Sequence, residues 1–185
     1  MVVASEIRNK IDSFQTGYVF TMSDFDLEPS NELALAKLLS RLAASGEIVR
    51  ISKGKYYKPK KTVFGVMKPA YEELVKDLLV KGGELVGYIS GTVAFSSMGL
   101  TTQISSNILI GSNKYRRPIE RGGYKISFLL QSNQITIDNV ELLQILDAIK
   151  MIRKIPGTSA TDACKILITL DRKSTRLNSS HQVLS

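Results

Sequence analysis

Twelve residues, RISKGKYYKPKK at 50–61, hold six Lys or Arg and two adjacent tyrosines, with no acid among them. Such side chains bind anions, because ammonium and guanidinium groups neutralise phosphates while an aromatic ring packs on sugar or core. Just upstream, Lys37, Ser40 and Arg41 recur at helical spacing, opposite Leu35, Leu38, Leu39 and Leu42. A helix face of that kind, with Ser30 at its start, fits a major groove. Arg41 is the best base reader, since its fork can grip guanine in two places, and Lys37 suits a base or a phosphate. Arg50, Lys53, Lys55, Lys58, Lys60 and Lys61 would hold the phosphates, so binding to double-stranded DNA should weaken steeply with salt. A solvated edge kept charged against aggregation also fits the basic run.

A second basic stretch, GSNKYRRPIERGGYK at 111–125, sets Lys114, Arg116, Arg117, Arg121 and Lys125 against Glu120 alone. It reads either as another contact to an anionic partner or as a long solvated hairpin between two strands. Catalysis has little to draw on. In GYISGTVAFSSMGLTTQ (87–103) the glycines and Ser90 lack the G-x-S-x-G spacing of a nucleophile elbow. Ser90 reads instead as a helix cap, Val93, Ala94 and Phe95 as core, and Gly99 as the helix end. The only histidine is His181, so Cys164 lacks the usual activating neighbour. No phosphate-binding glycine loop occurs; KGGE reads as a helix stop, and Glu72, Glu73 and Asp77 as an exposed helix face. The expectation is a binding protein, not an enzyme, without cofactor or metal.

Several elements must position these residues. Val3, Ile7 and Ile11 predict a first helix, Tyr18–Thr21 a short strand, and Ser23 the cap of a short second helix closed by Pro29. A third helix capped by Ser30 or Asn31 should end at Gly46. EIVRI, the SKG turn and KYYK then predict a hairpin. Three helices and a basic hairpin make a winged helix-turn-helix over 1–61. Charge layout agrees: residues 1–36 hold six acids and two bases, residues 37–61 eight bases and one acid.

A connector at 62–68 precedes an α+β domain over 69–170. Its expected parts are a helix near 69–81, one near 92–98, strands at NILIG, GYKISFLL and QITID, a helix over 140–152, and the start of another. The fold class is therefore α+β, a winged helix-turn-helix followed by a mixed α/β domain that reads as truncated. The net charge of +8 over 185 residues favours anionic partners, and the single Cys suits a reducing cytoplasm. The start reaches charge within six residues and no apolar run is long enough for a membrane span, so a cytoplasmic location is expected.

Residues 171–181, DRKSTRLNSSH, resemble a short-read sequencing adapter translated in one frame. On that reading 171–185 is an artefactual disordered tail and the native chain is cut near Leu170. Setting it aside removes three bases and one acid, so the net charge falls from +8 to +6.

Two stretches, LLSRLAASGEIVRISKGKYYKP and GYISGTVAFSSMGLTTQI, together with the domain order, resemble the AbiEi family of antitoxins from bacterial type IV toxin-antitoxin and phage abortive-infection systems. The resemblance covers most of residues 1–170. It implies an amino-terminal winged helix that binds repeats in its own promoter and represses it. It also implies a carboxy-terminal domain that neutralises a cognate nucleotidyltransferase-like toxin. By position the DNA role falls on Lys37, Ser40, Arg41 and the wing bases. The neutralising role falls on no single residue, although the 111–125 stretch is the most exposed basic candidate. The competing expectation is a winged-helix protein-interaction module without specific DNA binding.

Overall fold

The structure, a computed structural model, describes residues 2–170. The tail expected at 171–185 lies outside the described residues. Among these the chain is mixed α+β, with six helices and four small sheets. Two compact units form: one runs to Lys76 and takes in Arg121–Gly123, and the other holds the remaining described residues.

In the first unit, helix α1 (Val2–Ser13) buries Ile7 and Ile11, four residues apart on one face. Strand β1 (Val19–Thr21) follows. The short second helix expected from Ser23 is only one 3-10 turn, Met22–Asp24, and its cap is Thr21. The physical reason is Asp24. Its carboxylate accepts from the Thr21 amide (2.7 Å), the Thr21 hydroxyl (2.9 Å) and the Tyr18 hydroxyl (3.0 Å), closing a capping box. Phe25 then turns extended and drops into the core, which ends the turn. Pro29 opens a second 3-10 turn, Pro29–Asn31, where a closing role was expected.

Helix α2 (Glu32–Ala44) runs from that turn. Leu35, Leu38, Leu39 and Leu42 are all buried, and Gly46 takes the positive φ (+73°) that ends the helix. Asn31 stands at the cap position without a side-chain cap bond. Strands β2 (Val49–Ser52) and β3 (Lys55–Tyr57) form the expected hairpin, with Gly54 at φ +72° in its turn. Strand β3 lies central in the order β1-β3-β2, antiparallel to both neighbours, so Tyr57 pairs with Val19 and with Val49. Tyr56 and Tyr57 are both buried. Tyr56 stacks on Phe20, which also meets Phe14 and Phe25 at centroid distances of 4.9 and 5.9 Å. Each such ring pair adds about 0.5–1.5 kcal/mol beyond its buried area.

The stretch 62–68, expected as a connector, instead completes a second hairpin, β4 (Lys60–Thr62) and β5 (Gly65–Met67). Helix α3 (Tyr71–Leu79) follows. Its Glu73 accepts from the Val19 amide (2.8 Å), and its Lys76 ammonium sits 3.8 Å from the Tyr18 ring centroid.

In the second unit, Gly82 and Gly83 do not simply stop a helix. Both take positive φ (60° and 83°) and turn β6 (Val80–Lys81) back onto β7 (Glu84–Leu85). Two successive positive φ values are what a two-residue hairpin turn requires. Strand β8 (Gly87–Ser90) leads directly into α4 (Gly91–Ser97), and Gly99 (φ +76°) follows that helix. Strands β9 (Asn107–Ser112), β10 (Ile119–Arg121) and β11 (Tyr124–Leu130) complete a four-stranded sheet in the order β10-β11-β9-β8. The long hairpin expected across 111–125 therefore contains a strand of its own. Strands β9 and β11 are parallel, aligning Ile108 with Ile126 and Ile110 with Phe128; the three isoleucines are fully buried.

QITID is not a strand. The Asn139 side chain accepts from the Thr136 amide (2.9 Å) and its own amide donates to the Gln134 carbonyl (2.8 Å), folding Ile137–Asn139 into a 3-10 turn. Helix α5 (Val140–Lys150) and helix α6 (160–170) follow. Ser90 stands at the cap position of α4 but makes no cap bond. Its hydroxyl donates to Asp147 Oδ2 (2.8 Å), as does Tyr88 (2.8 Å), and the Gln131 amide donates to the Tyr88 oxygen (2.9 Å). Asp147 is fully buried, and its Oδ1 has no hydrogen-bond partner among the described residues. Among the described residues no helix is long and apolar enough to cross a membrane.

Candidate nucleic-acid interface

Helix α2 turns Leu35, Leu38, Leu39 and Leu42 into the core and its polar residues to solvent, where Leu33 also stands, 77% exposed. Lys37, Ser40 and Arg41 are exposed, as is Ser30 in the turn before the helix. The helix gains its orientation from both ends: Asp24 fixes the approach, and the Gly46 stop sets the departure into β2. Burial alone would push the Asp24 carboxyl up. The Thr21 amide and hydroxyl, the Tyr18 hydroxyl and the Lys76 charge together outweigh it and hold that carboxyl below its ordinary value. Burial, with Asp24 as acceptor and neighbouring charge, pushes the Tyr18 hydroxyl up.

The expected phosphate contacts divide into different groups. Lys53, in the β2–β3 turn, and Lys60 and Lys61, on β4, are exposed. With Lys37 and Arg41 they enter no ion pair among the described residues. Arg50 is exposed on β2 but bends back, its Nε donating to the Ser52 carbonyl (3.3 Å). Lys55 is half-buried on the central strand, opposite Thr21 and Ser52. Lys58 is committed elsewhere: its ammonium reaches the Asp12 carbonyl (3.1 Å) and carboxylate (3.3 Å) at the end of α1. A cation there also suits the helix dipole.

The second basic stretch divides in the same way. Lys114, Arg117 and Lys125 are exposed, whereas Arg116 is half-buried with its guanidinium 5.7 Å from the Phe128 ring centroid. Arg121 does not belong to a surface at all. Only 7% exposed, it donates to the Leu74 carbonyl (2.7 Å), while Gly122 donates to the Ile51 carbonyl (3.1 Å). The charge count cannot tell a buried tether from a solvated cation; the double glycine beside Arg121 was the available signal of a tight turn.

Sequence reasoning also missed the β4–β5 hairpin. Its tip exposes Val63 (93%) and Phe64 (98%), and Val66 and Met67 are half-exposed on the returning strand. Seven bases and no acid lie between residues 48 and 71, so the basic character extends through this hairpin to Lys68. Among the described residues, no group of three or more His, Cys, Asp and Glu side chains could hold a metal ion.

No curated protein matches the chain. One family model does, over residues 6–176, a span that takes in both units and six of the residues read as an added tail. The chain belongs to that family, DUF6088, a family of unknown function.

Proposed function

We propose that the chain is a DNA-binding transcriptional autorepressor and the antitoxin of a nucleotidyltransferase-like toxin, working in the cytoplasm. The first unit is then a winged helix, with α2 as recognition helix and the β2–β3 hairpin as wing. One observation carries the reading: Lys37, Ser40 and Arg41 share the solvent face of α2, opposite its buried leucines, and the acid-free stretch 48–71 follows directly. A cationic helix face followed in sequence by a basic hairpin matches the division of labour in groove recognition, base edges for the helix and phosphates for the hairpin. The chemistry is binding, not bond-making.

The test is fluorescence anisotropy with the duplex lying immediately upstream of the gene against a scrambled duplex of equal length. Preference for the upstream duplex, weakened at least ten-fold by Arg41→Ala, supports the reading; equal affinity for both duplexes removes it.

A second reading, an interaction module without specific DNA binding, is favoured by Leu142, Leu146 and Ile149. These are 51%, 37% and 50% exposed at helical spacing along α5. Co-purification of the adjacent gene's product, with no upstream-duplex binding, would select it. In the leading reading the same stripe serves the antitoxin role.

A further inference from the structure

We infer that the β4–β5 hairpin is a wedge that inserts Phe64 into a base step of duplex DNA from the minor groove and kinks it. The inference rests on the DNA-binding reading above and extends it to a second contact. Phe64 is 98% exposed and Val63 93%, at the summit of a two-stranded ribbon that, among the described residues, pairs only with itself. Isolated two-stranded hairpins are marginal in water, and a bare apolar summit adds to that cost. The summit is nevertheless fixed. The Thr62 hydroxyl donates to the Gly65 carbonyl (2.9 Å) and accepts from the Phe64 amide (3.3 Å), and Gly65 takes a φ of +111° to turn the chain.

Charge selects the occupant. Lys60 and Lys61 precede the apolar tip and Lys68 follows it, all exposed, with no acid from residue 48 to residue 71. An apolar ring set among lysines matches a base step flanked by phosphates, and inserted phenylalanines are a known way of unstacking such steps. Reach agrees: three paired residues per arm at about 3.3 Å each give a ribbon about 10 Å long, against a minor groove about 7.5 Å deep. The root is no obstacle to approach. It borders an open cleft of about 300 Å³, lined by Lys60, Met67 and Lys68 together with Gly17, Tyr18 and Glu73.

The experiment uses the full chain and equal-length fragments carrying the upstream duplex at permuted positions, read by gel mobility. Anisotropy on the same duplex gives the affinity in parallel. Wild type is expected to bend the duplex by at least about 20°. Phe64→Ser should abolish the bend and weaken binding roughly ten-fold, whereas Phe64→Leu, which keeps an apolar wedge, should retain most of both. Because Phe64 lies almost wholly in solvent, circular dichroism and melting of both variants should match wild type. Wild type that binds without bending, or Phe64→Ser that bends as wild type does, overturns the wedge and leaves the DNA reading standing. Wild type that ignores the duplex overturns both. Phe64→Ser that bends DNA normally but no longer sediments with anionic vesicles, or no longer holds the adjacent gene's product, reassigns the hairpin and overturns the wedge.

Discussion

Lys53→Gln and Lys58→Gln remove the same charge five residues apart, yet the structure assigns them opposite consequences. Lys53 is exposed in the β2–β3 turn without an ion pair among the described residues, whereas Lys58 is spent on Asp12. If Lys37, Lys53, Lys60 and Lys61 each neutralise one phosphate while Arg41 reads a base, the log-log salt slope of binding is about −3.6. Between 50 and 200 mM salt that slope is a loss of roughly 150-fold in affinity. Lys53→Gln should flatten the slope to about −2.7, because one fewer counterion is released. Lys58→Gln should leave the slope alone and lower stability by about 0.5–1 kcal/mol, a modest figure because Asp12 is 76% exposed. Anisotropy titrations at four salt concentrations give the slopes, and urea melts give the stabilities. Equal flattening by the two variants would show that Lys58 leaves Asp12 for a phosphate, and the sorting of cations by their partners would fail.

Three further outcomes follow from the packing. Asp24→Ala should cost about 1 kcal/mol through loss of the Thr21 cap, measured by urea denaturation. Since the folded Asp24 carboxyl is held below its ordinary 3.8, its contribution is present above that pH and is lost as pH falls through the folded value; the variant should show a shallower acid transition. Tyr88→Phe removes a donor from Asp147 and an acceptor from Gln131 in a buried site, costing about 1–3 kcal/mol. Burial, and beyond it the Asp147 carboxylate, pushes the Tyr88 hydroxyl up. Wild-type stability should therefore erode as pH rises past 10, and more steeply than that of the variant in thermal melts. Gly111→Ala should destabilise the second unit by several times the roughly 1 kcal/mol typical of single substitutions, because a Cβ there would stand 2.3 Å from the Tyr88 ring; urea melts test this.

Much of the first unit is written locally, and so it was legible. The leucine spacing of α2, the Gly46 stop and the Gly54 turn each state a backbone demand within a few residues. The cations of α2 could be placed on its solvent face for the same reason. What escaped depended on partners distant in sequence or on side chains with two uses. Lys58 reads as one more basic residue until Asp12, 46 residues away, is brought to it. Arg121 reads as surface charge until Leu74 offers a carbonyl. Ser90 has the sequence context of a cap but spends its hydroxyl on Asp147, 57 residues later. The stretch 62–68 reads as a connector between two units, and only the pairing of Lys61 with Val66 reveals a ribbon.

That ribbon also has a meaning for the chain's survival. Trypsin meets Lys60 and Lys61 there, and chymotrypsin meets Phe64, on a strand pair that no other described strand joins. A single cut at Phe64 would sever α1, α2 and the first sheet from everything after residue 64. Digestion speed at this site thus becomes a clock that slows whenever any partner sits on the hairpin.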